Sequence, residues 1–419
     1  MPPLFRYLLF PAVTMSLGWG LRGFIGGGPL GAMIPGAMVA LALCLALGRR
    51  DSDVAIIAAF GAVGIGFGGQ ETYGQTVGYA LQADTMWWGI LGLALKGAVW
   101  GLLGGAVLGA AFRLDRLASR HILAAVGLMV LGTHLGWKLV NQPKLLYFSN
   151  RLDRPREELW AGLMLGGVLL LVYFWRIGVG RAPAWFSVLG FLGGGIGFGL
   201  GGLIFSLARQ AEITVWSDWW KTMEFTFGFC FGWALGWAAW LMRDALEAPV
   251  PMLERPPSGF WLTLAAVGFL AAVTVFTYPL FQVRYSYTLV GAFLLWAASR
   301  SRSLSWHIAI TLTCCAFFFD WSRYYHREWG RGPEWVGWTL AAVASLAVWF
   351  LVWRRYRRSV SMVAWSFLLL TWVAVADALL KFAIHPSPLR GVPVASCFLV
   401  LALAATWLLR RYAPEETPV

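Results

Sequence analysis

Basic residues in this chain come in small groups about 25 to 40 positions apart, and the stretches between the groups are apolar. A helix needs about 20 apolar residues to cross the hydrocarbon core of a bilayer. By that ruler the sequence predicts fourteen spans, at roughly 6–23, 29–48, 54–70, 86–112, 121–141, 157–176, 184–206, 219–242, 259–281, 285–299, 304–320, 334–353, 360–384 and 391–410. The tenth is the shortest. The expected fold class is an all-α polytopic transmembrane helical bundle.

Composition excludes the other classes. Hydrophobic residues make up 59% of the 419 positions and charged residues 13%, about half the ~25% of a soluble domain. A water-soluble fold has no means of hiding that much apolar surface. The net charge of +13 is dispersed between the runs and not gathered into a patch, so no nucleic-acid partner is expected.

Every second turn carries at least two Arg: 49 and 50, then 113, 116 and 120, then 176 and 181, then 243 and 255. The series continues at 300 and 302, at 354, 355, 357 and 358, and at 410 and 411. With Arg6 these are 18 basic residues on one side, while all five Lys fall in the opposite turns or within spans. The positive-inside rule then puts the N- and C-termini in the cytoplasm and the chain in the cell inner (plasma) membrane. No cleavable signal-peptide pattern precedes the first span. The five Cys, an odd number lacking C-x-x-C, all lie within spans and read as packed thiols. No metal site and no cofactor is expected.

At an offset of 131 residues, Gly64-Ile65-Gly66-Phe67-Gly68 recurs as Gly195-Ile196-Gly197-Phe198-Gly199. In the same register Gly97, Gly101 and Gly105 fall on Gly228, Gly232 and Gly236. This predicts a parallel internal repeat: one four-span unit over 1–120, a second over 121–256, and a six-span region over 257–419. Glycines at i, i+4 and i+8 share one helix face and let a second backbone come close. The fourth and eighth spans are therefore expected to form buried seams, possible partners for each other. Trp87-Trp88 and Trp219-Trp220 open those spans, as an interfacial aromatic belt would.

Ionisable residues inside spans are costly and default to functional candidates. Lys96 lies ten residues into its span, near the bilayer midplane by the sequence count, and Glu224 is about five residues into the matching span of the second unit. A Lys96–Glu224 pair across the seam would serve either as a helix register device or as part of a transport or catalytic site. Asp377 and Lys381 stand one turn apart and can pair; Asp320 and Arg323 close the eleventh span in the same manner, and His134 and Lys138 share a face. Any one of these alone also fits a capped or interfacial helix end. Together with Glu71 and Arg209 they all fall on the non-cytoplasmic side. The run from Leu17 to Pro29 is rich in Gly and holds Arg22, reading either as a tight turn or as a backbone concavity for an anionic group. Glu157-Glu158 begins the E-E-x-x-x-R signature of one class of intramembrane proteases, but Gly162 occupies the position of the Arg.

The candidate substrate-binding residues are thus Arg22, Glu71, Lys96, Arg209, Glu224, Asp320, Arg323, Asp377 and Lys381. No catalytic residue is assigned. The leading expectation is a secondary transporter or flippase for an anionic or lipid-linked substrate. The alternatives are a membrane-embedded transferase with Glu71, Asp218 or Asp320 as base, and a structural subunit of a membrane complex. Expected partners are membrane lipids, an anionic or lipid-linked substrate, and either a second copy or another membrane subunit.

Overall fold

The computed structural model of the chain describes residues 3–25, 27–49, 51–114, 119–149, 155–214, 216, 218–246, 259–274, 285–327, 333–358, 361–384 and 388–412, and among them only helices and loops occur. In chain order the helices are α1 (Pro3–Arg22), α2 (Gly28–Leu47), α3 (Asp51–Gly68), the short α4 (Gly74–Ala80) and α5 (Met86–Ala111). Then come α6 (Ser119–Gly136, continued by a π-helical turn Trp137–Asn141), α7 (Trp160–Arg176), α8 (Ala182–Gln210), α9 (Trp219–Met242) and α10 (Phe260–Ala272). The last six are α11 (Ser286–Ala298), α12 (Arg302–Trp306), α13 (Thr313–Arg327), α14 (Glu334–Arg357), α15 (Val363–Ile384) and α16 (Pro388–Tyr412). A π-helical stretch, His307–Leu312, joins α12 to α13.

Ten helical stretches among the described residues are long and apolar enough to cross a membrane. The other four expected spans fall where the described residues hold shorter apolar helices, Asp53–Gly68, Trp160–Arg176, Phe260–Ala272 and Ser286–Ala298, which are below the length of a crossing, so ten spans and not fourteen are shown. The molecule is accordingly a multi-pass membrane protein by the length and apolarity of its helices. Its outer helices present large apolar side chains, such as Trp175, Ile196, Trp261, Trp335 and Val400, to the surroundings. Inside, α2 is almost wholly buried from Pro29 to Ala46. It begins on Pro29 in the first turn and stops at Gly48, whose φ of 65° lets its N–H bond back to Cys44 and Leu45 carbonyls.

Glycine stripes hold the bundle together, with partners other than those expected. Along α5, a Cβ at Gly97, Gly101 or Gly105 would overlap the backbone of Gly194, Gly190 or Phe186 on α8. Along α9, Gly228, Gly232 and Gly236 face the backbone of Met15, Pro11 and Tyr7 on α1. The two stripes are buried seams but not against each other. The other face of α8, through Gly193, Gly197 and Gly201, meets α9 at Ala234, Cys230, Phe227 and Met223, so α8 is threaded between α5 and α9. Where lipid rather than water surrounds the helices, such close packing is a main source of association.

A second correction concerns the first Gly-rich run. Leu17–Arg22 is the last stretch of α1 and not a loop. Gly18 lies against Pro35 of α2, and Gly20 against the Phe225 ring. The small residues there serve helix contact, with α1 running to Arg22 and α2 starting at Gly28.

Candidate functional site

Two segments fold back into the bundle instead of simply linking spans. Residues 69–85 contain α4 and run beside the start of α5, where Gly89 admits the backbone of Tyr79 and Ala80. Residues 142–149 and 155–159 lie over the same part of α5, where Gly92 admits the Phe148 ring. Non-helical backbone at such depth must be satisfied by protein. Asn141, delivered by the π turn, does this for α7 by accepting from the N–H groups of Ala161 and Gly162, each at 3.1 Å. The Trp88 indole donates to the Tyr147 carbonyl, and the Tyr147 hydroxyl to that of Arg156.

Both segments deliver carboxylates to Lys96. Its ammonium lies 3.0 Å from Glu71 and 2.8 Å from Glu158, and also donates to the Thr72 carbonyl at 2.6 Å and the Thr76 hydroxyl at 2.8 Å. Glu158 further accepts from the Phe148 N–H and the Ser149 hydroxyl; Glu71 accepts from the Leu159 N–H. All three charged side chains are almost fully buried. The expected Lys96–Glu224 pair is therefore not formed. Lys96 sits ten residues down α5, about 15 Å of helix, yet the infolded 69–73 segment meets it there.

Glu224 belongs to a second cluster one residue further along that segment. The Tyr73 hydroxyl donates to Glu224 at 3.0 Å and accepts from Arg22 at 2.9 Å. Glu224 also accepts from the Trp220 indole and forms an ion pair with Lys221, whose ammonium reaches the Gly20 carbonyl. Glu224 is thus fully engaged, and among the described residues Arg22 has no carboxylate partner. The Arg22 guanidinium lies among the rings of Trp19, Tyr73 and Trp100, 5.0 to 5.6 Å from their centroids, with its Nη2 3.4 Å from the Gly28 carbonyl and its Nε unpartnered. Arg22 is 4% exposed. At the start of α9, Asp218 accepts from the Lys221 N–H. Burial pushes the Asp218 carboxyl up from the usual carboxylate range, opposed by that N–H and by the Lys221 charge.

A third cluster adjoins through Phe24. Lys221 packs 4.6 Å from the Phe24 ring, and the Phe24 carbonyl accepts from Lys381 at 2.6 Å. Lys381 also binds Asp320 at 2.9 Å and stands 3.7 Å from Asp377. The expected one-turn Asp377–Lys381 pair is present as a long contact. Asp320 turns to Lys381, and the side chain of Arg323 lies outside the described residues, as do Arg116, Arg151, Arg154 and Arg255. Arg209 is exposed in the last turn of α8, apart from all three clusters. His134 contacts the Tyr285 hydroxyl at 2.9 Å.

The clusters form one band across one end of the bundle. The segment Gly69–Tyr73 is its hub: Gln70 exchanges hydrogen bonds with Thr288 of α11, Glu71 and Thr72 meet Lys96, and Tyr73 joins Arg22 to Glu224. At the opposite end Arg49 pairs with Asp53 at 3.2 Å and donates to the Leu246 carbonyl, closing the turn after α9. No family model, no curated protein and no solved structure matches the chain. The site must be judged on its own geometry. Among the described residues no three His, Cys, Asp or Glu side chains gather as a metal-ligand set. Sequence reasoning missed Tyr73, Lys221 and Glu158 as band members. Only the position of Tyr73 two residues after Glu71, and of Lys221 one turn before Glu224, pointed toward the first two.

Proposed function

We propose that the protein is a secondary transporter or flippase for an anionic or lipid-linked substrate, with Arg22 as the group that meets the anion. One observation carries this: a guanidinium buried to 4% exposure, surrounded by three aromatic rings, with an unused Nε and, among the described residues, no carboxylate of its own. A buried charge without a counter-ion is costly, and cation–π contacts of about 0.5–2 kcal/mol each offset only part of that cost. An anionic head group beside Arg22 would offset the rest. The Arg-rich turns at the opposite end favour placing the band on the non-cytoplasmic side. Gly64–Gly68 and its duplicate at Gly195–Gly199 would belong to two related units that rock around the site.

The test uses the purified chain in liposomes with fluorescent phosphatidylglycerol as probe, and thermal unfolding in detergent with a polyprenyl phosphate. Arg22→Gln is expected to abolish flipping and stabilisation by the phosphate while the ligand-free protein still unfolds cooperatively. Flipping and stabilisation both retained in Arg22→Gln would overturn the assignment. Mass analysis of the lipids after incubation separates the transferase alternative, since only an enzyme changes covalent structure.

A further inference from the structure

Away from Arg22, on the side of α13, α14 and α15, a cavity of about 400 Å³ opens between helices. Its volume lies within the usual range for small-ligand sites, ~300–1,000 Å³. Phe318 and Trp321 form one wall and the small side chains of Ala341, Ala344 and Ala376 leave the space empty. Leu340 and Leu380 at its margin are nearly half exposed, so the mouth faces the surroundings of the bundle, which for apolar helices means lipid. Every lining side chain is hydrophobic except one, Asp377.

Asp377 is 7% exposed, and its Oδ2 accepts no hydrogen bond. Among the described residues its ion-pair partner is Lys381, which stands 3.7 Å away and is already bound to Asp320 and the Phe24 carbonyl. A buried carboxylate oxygen without a donor is a strong demand for a cation or a donor. An acyl chain filling the cavity would leave that demand unmet. A hydrated inorganic ion would meet it and leave the aromatic and aliphatic walls against water. A ligand that answers both has one positive charge on an apolar body, and the two aromatic side chains suit such a charge in addition.

We propose that this cavity binds a hydrophobic organic cation entering from the lipid side, with its charge against Asp377 and its apolar body between α13 and α14. The site is independent of the anion reading at Arg22. The probe is radiolabelled tetraphenylphosphonium, measured by equilibrium binding to the purified full chain, with uncharged triphenylphosphine oxide as competitor. Asp377→Asn is expected to weaken binding at least tenfold, and Asp377→Glu, which keeps the charge, by threefold or less. Ala344→Phe, which fills the cavity and leaves Asp377 intact, is expected to abolish binding. Unchanged affinity in Asp377→Asn, or displacement by the neutral competitor as strong as by unlabelled cation, would overturn the proposal and identify the cavity as an acyl-chain slot. Unchanged affinity in Ala344→Phe would overturn it as well, and that variant keeps the test decisive if Asp377→Asn does not fold. Arg22→Gln leaves this binding intact, so the two readings fail separately.

Discussion

Lys96 and Lys381 each stand beside two carboxylates and donate to a backbone carbonyl, yet the two triads are built to different standards. Around Lys96 the three charged side chains are 0%, 2% and 0% exposed, and Phe148, Ser149, Leu159 and Thr76 supply further partners. Around Lys381, Asp320 is 31% exposed and Asp377 Oδ2 is left without a hydrogen bond at the edge of a 400 Å³ cavity. The ion pairs to Lys96 are short, at 2.8 and 3.0 Å, and that to Asp377 is long, at 3.7 Å; a buried network with many partners rigidifies what it joins. One with an open valence is available for a ligand. The same residue types thus make a closely packed fastening in one place and a looser arrangement beside a cavity in the other, and the difference lies in the neutral groups around them.

This contrast can be broken experimentally, and the largest effect is expected at Lys96. Replacement by Met leaves Glu71 and Glu158 facing each other in the interior, a loss of about 3–5 kcal/mol, visible as failure to accumulate or a collapsed thermal transition in detergent. Glu158→Gln removes a charged acceptor from two donors besides Lys96 and is expected to cost about 1.5–3 kcal/mol by the same measurement. Lys381→Met should cost less than Lys96→Met, about 1–2 kcal/mol, because Asp320 is partly solvated; equal losses at the two lysines would end the distinction.

Asp377→Asn is expected to change stability by less than about 1 kcal/mol, since no hydrogen bond is lost. A larger fall would mean that Asp377 is a structural group like Glu158. Asp218→Asn, outside both triads, sets the scale of a half-buried capping acid: a change within about 0.5 kcal/mol at pH 7, because Asn caps a helix as well as Asp. The Asp218 carboxyl is raised in the folded state, so its favourable contribution is present at low pH and is lost as pH rises through its folded range. Wild type should therefore lose ground to Asp218→Asn between acid and neutral pH in parallel unfolding scans.

Much of the scaffold is legible in the sequence because hydropathy reports it directly, and the ten long apolar helices fall on runs visible as such. The glycine stripes of α5 and α9 are legible as seams because i, i+4, i+8 fixes a face. Their partners are not, since nothing in the spacing of Gly101 says that Gly190 will face it. The same chemistry misled at Leu17–Arg22: glycine breaks helices in water, but between membrane helices it admits a neighbour. Site residues follow a similar rule. Asp377 and Lys381 share a helix face and are found by counting, whereas Glu71 and Glu158 reach Lys96 from segments 25 and 62 residues away, where covalent geometry gives no guide. Tyr73 carries no formal charge and so escapes any search for ionisable groups, although it joins Arg22 to Glu224.

The infolded hub also bears on how the chain is made. The amide of Gln70 is satisfied by Thr288, 218 residues downstream, and the Tyr73 hydroxyl by Glu224, 151 residues downstream. Translation at ~5–20 residues per second puts about 10 to 45 s between the emergence of Gln70 and that of its partner. Throughout that interval the polar Gln70 lacks the partner that satisfies it in the finished bundle. Residues 69–73 act as a bolt across the bundle whose contacts to α11 form only after Thr288 has been made.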